Sequence, residues 1–305
     1  MPKSKKQKQK QKQKQKRKTK CEDISKSKIK NKSKNKKKNR LSKTADKFLC
    51  YQKSVQAPDH EVEFFIRAYR DCYNKNPYSL REDFCGTFAI CCEWVGSDKR
   101  RTAVGVDYCD KTLQWGKENN LIKLSDEQQQ RVRLLQQDVR KRNRPQVDVL
   151  SAQNFSFWIF KTRAEVIEYF KIARSNLNNE GIMLMDMMGG GECFSEGHVD
   201  SRKVKKGKKG FSYKWTQVSY NPINHDAEFN ISFKFADGSW MKEAFVYKWR
   251  FWSIPEVREM LAEAGFSDSI VYWDVEEDED KDSIWEQSDV APSDPSWICY
   301  IVAKK

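Results

Sequence analysis

The chain has no pair of cysteines at two-residue spacing, few histidines, and no apolar run long enough to cross a bilayer. Nine cysteines occur in 305 residues, yet Cys85, Cys91, Cys92 and Cys109 sit inside apolar runs rather than in the regular framework of a small secreted domain. That usage points to a reducing interior. The three histidines, His60, His198 and His225, are scattered, so no metal-ligand set is expected. No stretch approaches about 18 apolar residues, and no membrane span is expected. Acidic residues are nearly missing from residues 1–45, where Glu22 and Asp23 face 21 Lys or Arg. The Lys/Gln repeat that fills Met1 to Lys20 has no apolar core for a secretory signal, and its lysine dominance argues against a mitochondrial transit peptide.

Charge therefore divides the chain. The formal net charge of +15 belongs to the first 45 residues, and the remainder is about −4. Residues 1–45 offer almost nothing to bury, so ordering them would not repay the conformational entropy, and a disordered basic N-terminal tail is expected. Clustered lysines fit a nuclear or nucleolar address, with the cytoplasm as the alternative, or nucleic acid as a partner through phosphate contacts. Residues 46–305 have the length and the 38% hydrophobic content for one domain with a sizeable core.

Within that domain Val62, Phe65, Ile66 and Tyr69 recur at helical spacing from Pro58 until Asn76-Pro77. Strand and helix then alternate: strands over Tyr78 to Asp83, Thr102 to Asp107, Val132 to Gln136, Val147 to Leu150 and Ile182 to Met187, helices over Thr87 to Val95, Lys111 to Asn119 and Thr162 to Leu177. Units of this length predict an α/β protein, a parallel sheet with helices on both faces. After Gly189-Gly190-Gly191 a loop with six Lys or Arg between Arg202 and Lys209 leads into alternating runs at Tyr213 to Tyr220, Phe229 to Phe235 and Met241 to Trp249. These predict an inserted antiparallel β-meander over about 211–250. A helix from Ile254 to Ala264 and strands at Ile270 to Trp273 and Trp297 to Val302 close the chain, with an acidic stretch, Asp274 to Asp282, expected as a solvated loop.

Open parallel sheets bind ligands beyond the carboxyl ends of their strands, where strand order reverses. The first such turn reads Leu80-Arg81-Glu82-Asp83-Phe84-Cys85-Gly86-Thr87. It resembles the first motif of the class I S-adenosylmethionine (SAM)-dependent methyltransferases, which runs acid, any, Gly, any, Gly, any, Gly. Glu82 falls on the acid, Gly86 on the central glycine, and Phe84 and Phe88 stand where the other two glycines belong. Asp107 ends the second strand, where a carboxylate can accept both hydroxyls of a ribose. The third strand runs into Gln137-Asp138-Val139 and the fourth into Gln153-Asn154-Phe155.

The resemblance implies a Rossmann-like seven-stranded methyltransferase sheet with one antiparallel strand and SAM as cofactor. Arg81, Glu82, Cys85, Gly86 and Asp107 are the expected binding set around the first two strand ends, and Asp138 and Val139 the adenine contacts. Asn154 and Phe155 are similar to the amide and aromatic of an Asn-Pro-Pro-Tyr type motif, although both prolines are missing here, so Asn154 is a candidate for cofactor and acceptor alike. Tyr51, just before the first long helix, sits where the family often has a lid over the cofactor. His225 is the one histidine expected as base or acceptor contact. A narrower likeness, carried by the LREDFCGT stretch, points to a methyltransferase-domain subfamily without naming an acceptor. Methyl transfer to RNA, protein or a small molecule, and a catalytically silent fold that binds nucleic acid or the ribosome, all remain open.

Overall fold

The computed structural model describes residues 40–204, 210–276 and 283–305. The tail up to residue 39, most of the basic loop at 205–209 and most of the acidic stretch at 277–282 lie outside the described residues.

Two short helices come first, α1 (Leu41–Thr44) and α2 (Lys47–Val55). The first lies within the stretch assigned to the tail, and neither was expected. Asp46 starts α2 by accepting the amides of Phe48 (2.8 Å) and Leu49 (3.2 Å), the side-chain cap a helix start requires. The long helix α3 (Pro58–Tyr73) has proline in its first turn and ends on Asn74 in a left-handed conformation, φ 52°, as helix ends often do.

The alternating units then build β1 (Ser79–Asp83), α4 (Ala89–Ser97), β2 (Thr102–Asp107), α5 (Asp110–Asn119), α6 (Asp126–Gln130), β3 (Val132–Gln136), β4 (Val147–Ala152), α7 (Arg163–Ser175) and β5 (Leu177–Gly189). Strands β6 (Val199–Val204), β7 (Phe211–Tyr220), β8 (Asp226–Phe235) and β9 (Trp240–Arg250) follow. Helix α8 (Ile254–Glu263), β10 (Asp268–Asp274), β11 (Trp285–Gln287) and β12 (Trp297–Lys304) complete the order. Helices α7 and α8 each open on a capping box, Thr162 with Glu165 and Ser253 with Glu256, which satisfies two otherwise orphaned amides at each start.

The main sheet has the order β11-β10-β12-β5-β4-β1-β2-β3. From β5 to β3 all neighbours are parallel, while β12 runs antiparallel to both β5 and β10. Seven strands were expected, and the described sheet has eight. The addition is β11, three residues paired antiparallel to the edge strand β10, too short to leave a periodic signal. Chain order reverses between β1 and β4, so the crevice lies beyond their carboxyl ends.

The two faces of β5 show the sheet's period-two logic. Met183, Met185 and Met187 pack with Tyr169, Phe170, Met260 and Leu261 of α7 and α8. Ile182 and Leu184 pack with Phe64, Phe65 and Trp94 of α3 and α4 on the other side. A separate antiparallel sheet, β6-β7-β8-β9, forms the insertion. It has four strands rather than three. The first, β6, falls where a loop was expected, because its residues are exposed but for a half-buried Val204 and no alternation marks it; Arg202 is on this strand, opposite Tyr213. No helix among the described residues is long and apolar enough to cross a membrane.

Candidate functional site

The turn after β1 keeps glycine-like backbone without the glycines. Phe84, Gly86 and Phe88 have φ of 56°, 52° and 45°, so all three motif positions lie in the left-handed region. For a residue with a side chain that costs about 1–2 kcal/mol. Fully burying a phenylalanine returns about 1.5–3 kcal/mol, which offsets that cost at Phe88, while Phe84 is half-buried. Phe84 packs on Tyr169 and Phe160, with ring centroids 5.8 and 6.1 Å away. Phe88 is fully buried and lies against Gly116 of α5, where a Cβ would come within 2.4 Å of its ring. Cys85 is buried under the turn, with its sulfur 3.0 Å from where a Cβ on Gly105 would lie.

The side chains of β1 alternate between the two faces. Glu82 is 3% exposed and accepts the Cys91 amide at 3.1 Å, so it anchors the first turn of α4. Burial, with the nearby Asp107 charge adding to it, raises its pKa to about 8. Arg81 and Asp83 point the other way and form a buried ion pair at 2.6 Å. Arg81 also donates to the Val139 carbonyl at 2.9 Å, and Asp83 accepts the Tyr169 hydroxyl at 3.1 Å. Arg81 thus ties β1 to the turn after β3 and is not open to a ligand.

At the end of β2 Asp107 is half-buried. One carboxylate oxygen accepts the Gly86 amide at 2.8 Å and the other the Cys109 amide at 2.7 Å. A carboxylate has about four acceptor positions, so two remain for hydroxyl donors. Asp138, beyond β3, is held by Arg140 through its guanidinium (2.8 Å) and its amide (2.8 Å), which pulls its pKa down. Val139 is buried beside it.

The end of β4 is the tightest turn of the site. Asn154 and Phe155 both have positive φ, 58° and 55°, and their amides converge on the two oxygens of Asp186 at 2.8 and 2.9 Å. Asp186 lies within β5, and burial raises its pKa to about 7. Just before the turn Gln153 is 5% exposed, and neither polar atom of its side chain has a partner among the described residues. Sequence reasoning missed both residues. The signal for Asp186 was an acid inside the apolar run Leu184-Met185-Asp186-Met187.

Helix α2 and the inserted sheet close over this end. Gln52 donates to the Thr87 hydroxyl at 2.8 Å, and the Tyr51 ring lies 4.9 Å from that of Phe245 on β9. Beneath the inserted sheet is a cleft of about 1180 Å³ that takes in Tyr51, Asn154, Phe155 and Asp186. One face of the sheet supplies its wall at every second residue, through Trp215 and Gln217 on β7, Phe229 and Ile231 on β8, and Tyr247 and Trp249 on β9. The candidates therefore fall into two groups. Glu82, Cys85, Gly86, Asp107, Asp138 and Val139 surround the ends of β1 to β3, and Tyr51, Asn154 and Phe155 adjoin the cleft. His225 is brought to neither: it sits in the β7–β8 turn at φ 61°, its amide bonded to Asn221. The histidine lining the cleft is His198, 3.7 Å from Glu192.

No protein family matches the chain by sequence, and neither does any curated protein. Among solved structures it is similar to DesVI of Streptomyces venezuelae, with a TM-score of 0.62 at 16% identity over 84% of this chain and 94% of that one. It is also similar to SAM-bound CalS10, an amino pentose methyltransferase of Micromonospora echinaspora involved in calicheamicin biosynthesis, with a TM-score of 0.60 at 15% identity over 84% and 94%. A SAM-dependent methyltransferase of Clostridium acetobutylicum matches with a TM-score of 0.59 at 15% identity over 84% and 96%. The likeness covers the α/β sheet together with its added antiparallel sheet, and establishes the fold.

Proposed function

We propose that the chain is a SAM-dependent methyltransferase, with the cofactor beyond β1, β2 and β3 and the acceptor in the cleft under the inserted sheet. The carrying observation is the β1 turn, in which Phe84, Gly86 and Phe88 hold glycine-like backbone while Asp107 accepts the Gly86 amide. That geometry supports the active reading over a silent binding module, because the two phenylalanines that stand in for glycines keep the backbone that the turn needs. The fold shared with methyltransferase structures supports it as well.

The residues present fit the cofactor. Asp107 has acceptor capacity for the ribose hydroxyls, Val139 offers an apolar neighbour for the base, and Gln153 supplies buried hydrogen-bonding atoms that have no partner among the described residues. Asp138 is engaged by Arg140, so its part is to shape the turn beside the base. When bound, SAM supplies an electrophilic methyl group on a sulfonium. The protein's work is then to align a nucleophile and exclude water. Asp186 fixes the Asn154-Phe155 turn, and Tyr51 with the inserted sheet forms the cover.

Among the described residues the cleft carries seven carboxylates against one arginine and one histidine. Such a lining repels phosphate, which favours a small molecule or a single protruding side chain over RNA as acceptor. The basic tail then sets location or tethers the enzyme to a polyanion. Calorimetry tests the reading: saturable heat with SAM is expected, and a folded sample that gives none would refute it.

A further inference from the structure

Two carboxylates from different elements converge in the cleft. Asp186 stands on the face of β5 that Ile182 and Leu184 share, and Glu61 lies in the first turn of α3, the helix that packs over this face. Tyr300 joins them. It is the register partner of Asp186 on β12, and its hydroxyl lies 3.0 Å from both oxygens of Glu61.

Aromatic rings line the same cleft. Phe155 lies 6.1 Å from Trp249, which packs at 4.5 Å on Tyr247 and 6.1 Å from Trp215, and all four line the cleft. An independent observation points to a ligand here. Gln217, also in the lining, is 2% exposed and its Nε2 has no partner among the described residues. Native proteins rarely leave a buried donor unmade, so a group on a bound molecule is its natural acceptor.

Carboxylates inside an aromatic enclosure select by charge. An anion is repelled, a neutral hydroxyl gains little from two acids, and an ammonium ion gains from both the acids and the ring faces. Resting on the methyltransferase reading, we propose that the acceptor is an amine, bound as its ammonium ion by Glu61 and Asp186, and that Glu61 takes the proton that frees the nitrogen lone pair. The N–H bond breaks and its proton passes to the Glu61 carboxylate. The nitrogen then forms the N–C bond to the methyl group as the C–S bond breaks, and that electron pair stays on sulfur, leaving a neutral thioether. Gln217 Nε2 donates to an oxygen elsewhere on the acceptor. The groups facing Glu61 are Tyr300 on β12, Asp186 on β5 and Glu82 on β1; burial and the Asp186 charge raise its pKa to about 8 in the free site, and an ammonium ion seated between the two acids favours the carboxylate form that then accepts its proton.

The test uses the full chain, methyl-labelled SAM and a small-molecule extract, divided into an untreated half and a half whose amines have been N-acetylated. Label should appear in the cation-exchange fraction of the first and fall at least tenfold in the second. Glu61→Gln should bind SAM within about twofold of the parent, lose about 100-fold in turnover at pH 7, and regain at least tenfold by pH 10, where the amine sheds its own proton. Equal labelling of the acetylated half, SAM binding without an amine product, or a Glu61→Gln pH profile like the parent's would each overturn the amine assignment alone. Failure of the parent to bind SAM would instead remove the reading on which it rests.

Discussion

The ring of Phe88 occupies the space that a side chain on Gly116 would need. A Cβ added at Gly116 would lie 2.4 Å from that ring and 2.7 Å from the Thr87 carbonyl. Glycine within a helix normally costs about 0.5–1 kcal/mol relative to alanine, so Gly116→Ala at an open site would stabilise the protein. Here overpacking costs about 1–3 kcal/mol and wins. Urea denaturation should show a net loss, together with weaker SAM binding, because the displaced ring carries the turn with it.

Asp107 bridges the Gly86 and Cys109 amides and keeps acceptor capacity toward the crevice. Hydrogen bonds to a charged group are each worth about 1.5–3 kcal/mol. Asp107→Ala should therefore raise the SAM dissociation constant by about 10- to 100-fold, measured by calorimetry. Asp107→Asn, which keeps one acceptor, should fall between the two.

Gln153 separates stability from function. Burying an amide without partners costs about 1–3 kcal/mol, so Gln153→Met, similar in length and apolar, should make the ligand-free protein more stable by an amount of that order. The same change should weaken SAM binding at least tenfold. A variant stabilised with its binding intact would show that Gln153 serves only the fold.

Glu82 sets a pH dependence with a definite sign. Burial raises its folded pKa to about 8 from 4.5, so between those values the folded state holds a proton that the unfolded state has released. Stability from this group is full below about pH 4.5 and falls as pH rises to about 8. Glu82→Gln retains an acceptor for the Cys91 amide and removes the titration. Above pH 8 it should be more stable than the parent by on the order of 1–3 kcal/mol, since each tenfold difference in proton affinity between the folded and unfolded states is worth about 1.4 kcal/mol. Thermal melts should also show a flatter stability profile between pH 4.5 and 8.

Much of the fold was legible because burial on both faces of a sheet leaves a periodic trace. Strands β2 and β3 match their sequence-based bounds, and α3, α7 and α8 were found from apolar spacing and end signals. The misses share a physical reason. Strand β6 has an almost wholly exposed burial pattern, β11 is three residues long, and α2 follows a lysine-rich stretch that masks its weak amphipathic pattern. In the site, Asp107 and Gly86 were readable because strand ends have a fixed chemistry. Asp186 was hidden by the methionines on either side, Glu61 looked like an ordinary acid in a first helical turn, and Gln217 looked like one polar residue in an alternating strand. What joins these three is sheet register and helix packing, which no local pattern carries.

The anchoring of the first two helices decides how the chain can be shortened. The Leu41 amide bonds to Asp237 and the Ser42 amide to Ser239, while Trp115 donates to Asp46 and Gln52 to Thr87. A truncation starting at residue 40 removes the lysine repeat and keeps every one of these ties. One starting at Pro58, the first long helix, would strip off part of the roof, and a protein trimmed that far would report on the scaffold and no longer on the covered cleft.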